Sequence, residues 1–384
     1  MTTQPMTILI APGAFKHSLS ANHVAQAIHN GLIRSGISAT YHLLPIADGG
    51  NGTLDAFLAT GGTRHRATVL DPLAKPIRAE WGLSPNGKTA LIEMALASGI
   101  ELITSDQRDP FNATTYGTGQ LMREALEHGA KRIIIGMGGS ATVDGGTGCL
   151  MALGVDLSDE NGNPIPYGAG GLSRVAKIDT QHLDPRWRDV EVLIATDVDN
   201  PTLGKEGAVA VFAPQKGAKP DQLPILEANM THFFTQVHQQ LGVDVRDVRG
   251  GGAAGALSAG LLAFLGGKII SGIDFILDHN NFHDHLARAD LVITGEGNID
   301  DQTIYGKGPI GVARLAHQKG IPVIAIVGGM NADDTPLHEA GITAVMPIIP
   351  RPMPLEIALR DAKNLVTQTA LRLGYLLQIS PKHE

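Results

Sequence analysis

The run Asp290-Leu291-Val292-Ile293-Thr294-Gly295-Glu296-Gly297-Asn298-Ile299-Asp300-Asp301-Gln302 constrains the fold more than any other stretch of the chain. Its apolar start reads as a strand buried on both faces, the kind found in parallel sheets. A loop of acids and glycines follows, closing with Gly306-Lys307-Gly308-Pro309, and then the helical pattern Ile310-Gly311-Val312-Ala313-Arg314-Leu315-Ala316. In an open α/β sheet such a loop lies at the carboxyl edge of the strands, where ligands bind. Carboxylates there can hold a metal, glycines let backbone amides approach a phosphate, and a lysine can neutralise it. The loop points to metal-dependent phosphate chemistry.

The same alternation marks both ends of the chain. Thr7 to Ala11 reads as a strand, Ser20 to Arg34 as an amphipathic helix with Ser20 as N-cap and Gly36 as stop, and Thr40 to Ile46 as a strand. Toward the C-terminus, Leu291 to Thr294, Pro322 to Val327 and Ala344 to Ile348 read as strands. Ile310 to Gln318, Thr335 to Ala340 and Leu355 to Leu373 read as helices. One shared pattern predicts an α/β fold with a doubly wound parallel-sheet (Rossmann-like) domain built from 1–65 and 287–384. Between them, Thr68 to Ala95 alternates like strands, and Gly119 to His128 and Leu223 to Leu241 read as helices. Arg132 to Ile135 and Val192 to Ala195 read as strands. We expect a second α/β domain, 66–286, inserted into the first, with the active site in the cleft between them. A chain of 384 residues can fill two cores.

The formal charge of −8 argues against nucleic acid or an anionic membrane as partner. Any anionic ligand must then be met by local lysines and backbone amides. The lone Cys149 rules out an intramolecular disulfide and fits a reducing compartment. With neither a signal-like leader nor a run of 18 apolar residues, the expected location is cytoplasmic.

Four further loops carry chemistry. Ala11-Pro12-Gly13-Ala14-Phe15-Lys16 follows the first strand, and Lys16 can reach a carboxylate or phosphate or simply be solvated. In Ala47-Asp48-Gly49-Gly50-Asn51-Gly52-Thr53, Asp48 can orient a hydroxyl and take its proton, or cap the next helix. Gly136-Met137-Gly138-Gly139-Ser140-Ala141-Thr142-Val143-Asp144-Gly145-Gly146 can direct amides at phosphate oxygens. It also satisfies G-x-G-x-x-A with Asp156 about twenty residues on, a dinucleotide pattern that would suit an NAD-dependent oxidoreductase. Ala195-Thr196-Asp197-Val198-Asp199-Asn200-Pro201 ends a strand, so Asp197 suits a metal ligand or general base, or a turn before Pro201. Lys216, in Pro214-Gln215-Lys216-Gly217, suits charge compensation. Gly250-Gly251-Gly252-Ala253-Ala254-Gly255-Ala256 either binds an anion with its amides or allows close helix packing.

Two patterns imitate function. Gly82-Leu83-Ser84-Pro85-Asn86-Gly87-Lys88-Thr89 spells a P-loop, yet Asn86-Gly87 between β-like flanks predicts a type I′ hairpin. His279, His283 and His285 have metal-ligand spacing but read as a polar helix entry.

Taken in order, APGAFKHSLSA, PIADGGNGT, GMGGSATVDGGTG, ATDVDNP, APQKGA, GGGAAGALSAGL and TGEGNIDDQTIYGKGPIGVA resemble the bacterial glycerate kinases, from about Ile8 to Leu373. The resemblance implies Mg-ATP as donor, D-glycerate as acceptor and 2-phosphoglycerate as product, with 3-phosphoglycerate as the alternative. Positions matching the family's blocks include Lys16, Asp48, Ser140, Asp144, Asp197, Asn200, Gln215, Lys216, Glu296, Asp300, Gln302 and Lys307. Gly13, Ala14, Asn51 and Val143 depart from its usual pattern.

The roles expected on this basis follow the needs of phosphoryl transfer, which are positioning and charge stabilisation. Glu296 and Asp300 would hold Mg²⁺. Gly138, Gly139, Ser140, Asp144, Gly251, Gly252 and Lys307 would meet the nucleotide and its phosphates. Lys216 would offset developing charge, and Lys16, Asn200 and Gln215 would bind substrate. Asp197 or Asp48 would take the proton of the attacking hydroxyl. A non-catalytic binder of small anions is a third reading, and the acid-rich loops speak against it. Monomer and homodimer are both open.

Overall fold

The computed structural model describes residues 5–299, 308–331 and 333–379. The chain forms two compact units, one from 1–48, 55–60 and 273–384, the other from 49–54 and 61–272.

The first unit holds a five-stranded parallel sheet, in the order Ala344–Pro347, Val323–Val327, Leu291–Thr294, Met6–Ile10, Ala39–Leu43. Alternate residues of its central strands feed opposite cores. Ile8, Ile10 and Ile293 pack with Val24, Ile28 and Val366, whereas Leu9 and Val292 pack with Phe282, Ile310 and Ala313. Helices on both faces explain why consecutive residues of these strands, Ile8–Ile10 and Leu291–Ile293, are all apolar. The helix Ala21–Ser35 is capped as its sequence demands: Ser20 accepts the His23 amide, and Gly36 takes φ 78°. It lies so close to Leu355–Leu377 that a Cβ at Gly31 would sit 2.3 Å from the Thr367 carbonyl oxygen.

The chain re-enters this unit at Ile273, earlier than the 287 read from sequence. Ile273, Leu277, Phe282 and Leu286 belong to the same core as Leu9 and Ala11. His279 Nε2 lies 3.0 Å from the Phe57 carbonyl and Asn280 donates to that of Ala56 at 3.1 Å, which accounts for the 55–60 segment. His279 is thus engaged with the backbone, and among the described residues no cluster of His, Cys, Asp and Glu is arranged for a metal ion.

The second unit holds a six-stranded mixed sheet. Lys268–Ile270, Glu191–Ala195, Arg132–Gly136 and Thr89–Glu93 run parallel, and Pro76–Leu83 and Thr63–Leu70 continue antiparallel. The P-loop look-alike is the connection between two of these strands. Gly87 donates to the Ser84 carbonyl (2.9 Å), and it alone is left-handed there (φ 68°), so the turn has Pro85 inside it and is not type I′. Among the described residues no helix is long and apolar enough to cross a membrane.

Candidate active site

In the second unit, the carboxyl ends of the parallel strands carry the loops singled out by sequence. A cavity of about 240 Å³ opens there, lined by Gly138, Gly139 and Ser140 after one strand and Thr196 and Val198 after the next. Gln215, Lys216, Ala253 and Ala254 complete the relevant wall.

Lys216 is 2% exposed, and its Nζ donates to Ser140 Oγ and to the Thr142 carbonyl, both at 2.7 Å. A buried ammonium loses hydration, so burial lowers the Lys216 pKa to about 7, while the charge of Asp144 pulls it upward. Both bonds tie the amine to the glycine-rich loop. Within that loop the Met137 amide donates to Ala195 O (3.1 Å), Gly138 to Gly49 O (3.0 Å) and Ala141 to Ser98 O (2.9 Å). Among the described residues none accepts from the Gly139 and Ser140 amides, and both residues line the cavity. The part of the loop suited to a phosphate therefore narrows to these two donors and the Lys216 amine.

Three residues expected at the nucleotide and its phosphates, Asp144, Gly251 and Gly252, have their polar groups engaged within the protein. Asp144 has no exposure at all, and its carboxylate accepts from Thr115 N (2.8 Å), Thr115 Oγ1 (2.9 Å), Gly146 N (3.2 Å) and Gly148 N (3.3 Å). Burial raises its pKa and these donors counter the rise. With its acceptor sites taken up inside the protein, Asp144 braces the loop rather than touching a nucleotide. The Gly251 and Gly252 amides are likewise spent, on Val248 O (2.9 Å) and Asn200 O (3.0 Å). These glycines serve close approach, since a Cβ at Gly252 would stand 2.4 Å from Pro201 O.

The dinucleotide reading also fails on geometry. No helix opens within Gly138–Ala141; the helix Thr147–Leu153 starts only after Gly146, and Asp156 is exposed and bonded to His182 Nδ1 at 2.7 Å. A Rossmann fingerprint needs the helix N-terminus directly at the glycines.

Asp197 follows the strand Glu191–Ala195, is half-buried, and accepts from Ser271 Oγ at 3.0 Å. Asn200 gives its amide Nδ2 to Glu206 O at 2.8 Å, which ties that end of its side chain to the turn. Gln215 is exposed at the cavity rim, where its backbone carbonyl accepts from Arg108 Nη1 at 3.3 Å.

The first unit brings two other predicted loops together. Gly13 donates to Gly295 O (2.8 Å), Thr294 Oγ1 donates to Ala11 O (2.8 Å), and a Cβ at Gly297 would lie 3.3 Å from the Lys16 amide. Lys16 is exposed and Glu296 half-buried on neighbouring loops at the carboxyl edge of this sheet. Asp48, the last residue of its segment in this unit, is exposed. Asp300, Gln302 and Lys307 lie outside the described residues. Glu296 offers a hard oxygen donor, and a nucleotide-bound Mg²⁺ needs only one or two protein carboxylates, so the residue fits such an ion.

One residue escaped the sequence reading. Glu93 ends the strand Thr89–Glu93, is 4% exposed, and accepts the Gly52 and Leu54 amides. The only signal was an acid closing an otherwise apolar buried run.

Comparison with known proteins covers nearly the whole chain. The model of the glycerate kinase family matches residues 8–378. A glycerate kinase of Bacillus subtilis is 47% identical over 376 residues, with 98% of each chain covered. A glycerate 2-kinase of Escherichia coli is 45% identical over 379 residues, covering 98% of this chain and all of the relative (100%). The crystal structure of a glycerate kinase 2 from Salmonella typhimurium superposes with a TM-score of 0.86 at 45% identity, covering 98% of this chain and 99% of that one.

Proposed function

The chain belongs to the glycerate kinase family, and from that premise we propose that it transfers the γ-phosphoryl group of ATP to D-glycerate, giving 2-phosphoglycerate. The observation that carries the phosphoryl-transfer chemistry is the buried Lys216 amine, held on the glycine-rich loop in a cavity beside two uncommitted amides. Gly139 and Ser140 present N–H groups to phosphate oxygens, and Lys216, protonated when an anion enters, offsets charge that grows on the transferred group. Mg²⁺, when bound with ATP, neutralises phosphate charge, and Glu296 and Asp300 are the residues to hold it.

In this reading Asp197 orients the attacking hydroxyl and receives its proton, helped by the Ser271 hydroxyl that fixes one carboxylate oxygen. Asp48 is the alternative for that role. The Lys16 ammonium, exposed on its loop, binds the glycerate carboxylate. Gln215, at the cavity rim, is a substrate or nucleotide contact, and Asn200 acts through the shape of its turn. The proposed setting is the cytoplasm, where the lone and buried Cys149 thiol stays reduced.

The test is incubation with Mg-ATP and D-glycerate, followed by enolase with and without phosphoglycerate mutase. Phosphoenolpyruvate formed with enolase alone is expected. Dependence on the mutase would move the phosphate to the 3-position, and absence of ADP would overturn the reading.

A further inference from the structure

We infer that Glu93 is a positioning residue for this reaction, its buried carboxylate fixing the loop 49–54 against the glycine-rich loop that lines the cavity. The inference rests on the phosphate-binding role proposed for that loop. Glu93 sits at the carboxyl end of its strand, paired in register with Gly136, where the glycine-rich loop begins. Both of its oxygens lie 3.1 Å from the Gly52 amide, and Oε2 also accepts from the Leu54 amide at 3.1 Å. Bonds from N–H groups to an ionised acceptor are stronger than neutral ones, and a buried carboxylate deprived of them would be strongly unfavourable.

The loop held in this way touches the cavity wall directly. Gly138 donates to Gly49 O at 3.0 Å. A Cβ at Gly138 would stand 2.4 Å from Gly50 Cα, and one at Gly139 would stand 2.4 Å from Asn51 Oδ1. At Gly138 the two backbones meet with no side chain between them, and at Gly139 the Asn51 side chain fills the contact, so a displacement of one loop is transmitted to the other. Glu93 therefore sets where Gly138 and Gly139 stand without facing the cavity itself. The same carboxylate fixes the segment that follows Asp48 in the chain.

The experiment compares Glu93→Ala and Glu93→Gln with Asp71→Ala, using Mg-ATP and D-glycerate. Asp71 is a matched control: it is 7% exposed in the same unit and accepts the Leu73 and Lys75 amides at 2.8 Å, away from the cavity. Misplacement of a reacting group by about 1 Å can cost about 10²-fold, so kcat of Glu93→Ala should fall on the order of 10²-fold. The KM for ATP should stay within about 3-fold, and Glu93→Gln, which keeps one acceptor oxygen, should recover about 10-fold of kcat. Asp71→Ala should lose thermal stability with kcat nearly unchanged. Equal kcat losses in Glu93→Ala and Asp71→Ala, or wild-type kcat in Glu93→Ala, would overturn the proposal. If Glu93→Ala does not fold, Glu93→Gln decides: reduced kcat in a folded protein supports the role, and unchanged kcat ends it. Amide hydrogen exchange without substrate separates this idea from the reaction itself. Faster exchange spreading from 49–54 to 137–141 in Glu93→Gln supports the coupling even if wild-type protein leaves glycerate untouched. Exchange confined to 49–54 sinks it.

Discussion

Lys216 concentrates the residue-scale argument, because its burial and its hydrogen bonds pull in opposite directions. Its pKa drops from an ordinary 10.5 to about 7. Folding therefore favours the neutral amine, so this group works against stability below pH 7, and the penalty fades as pH rises from about 7 toward 10.5. A phosphate entering the cavity reverses that preference by stabilising the ammonium. ATP binding should accordingly take up protons, increasingly from pH 6 to pH 8, as the free protein loses its proton and the complex keeps it. Titration calorimetry in two buffers of different ionisation enthalpy reads this uptake, and Lys216→Met should remove it. Equal uptake in both proteins would assign the proton to the nucleotide. Asp197 makes the second residue-scale prediction. Asp197→Asn should lower kcat by about 10²–10⁴-fold with little change in the KM for ATP, and steady-state kinetics showing intact kcat would transfer the role to Asp48.

At the scale of elements, the glycine-rich loop and the helix Ala253–Leu265 depend on each other. Ala254, Gly255 and Ala256 all take left-handed backbone angles (φ 54°, 65° and 66°), so this helix carries a left-handed stretch near its start. The Gly255 carbonyl accepts from the Gly145 amide (3.0 Å), and a Cβ on Gly255 would stand 2.0 Å from Thr142 O, the same carbonyl that accepts from Lys216. Gly255→Ala should therefore both destabilise the protein by more than about 2 kcal/mol and disturb the Lys216 contact. Ala254→Gly should act oppositely on stability, raising it by about 1 kcal/mol, since a left-handed alanine is strained by that order. Thermal denaturation of the pair distinguishes the two effects, and a stabilised Gly255→Ala would contradict the packing described.

On the scale of the whole molecule, two units with separate cores divide the labour of stability. Gly31 lies in the first unit, where the approach of two helices leaves no room for a side chain, because its Cβ would meet Ala370 Cβ at 2.6 Å. The cavity with Lys216 lies in the second unit. Gly31→Val should lower the melting temperature while leaving the stabilisation by ATP, about 2.7 kcal/mol at a hundredfold excess over Kd, essentially in place. Lys216→Met, in the second unit, should instead lose most of the ATP-induced shift. Differential scanning fluorimetry with and without Mg-ATP tests both.

The sequence by itself determined the βα alternation at both ends, because strands buried under helices on each face carry consecutive apolar residues, as in Ile8–Ile10 and Leu291–Ile293. It also determined the cap at Ser20, the helix stop at Gly36 and the hairpin hidden in the P-loop look-alike, since these depend on neighbours within a few residues. Seven ordered blocks were enough to indicate the family. What the tertiary structure decided was the direction in which each polar group points. Asp144 and Ser140 stand four positions apart in one loop, yet one is sealed against Thr115 and the other lines the cavity. The amides of Gly251 and Gly252 look available in a glycine run, yet one is consumed by the Val248 carbonyl just before it and the other by the distant Asn200 carbonyl. Glu93 gave only a faint signal because its partners, Gly52 and Leu54, lie some forty residues away along the chain. Hydrogen bonds are satisfied in space, and a linear pattern records which groups must be satisfied without recording by whom.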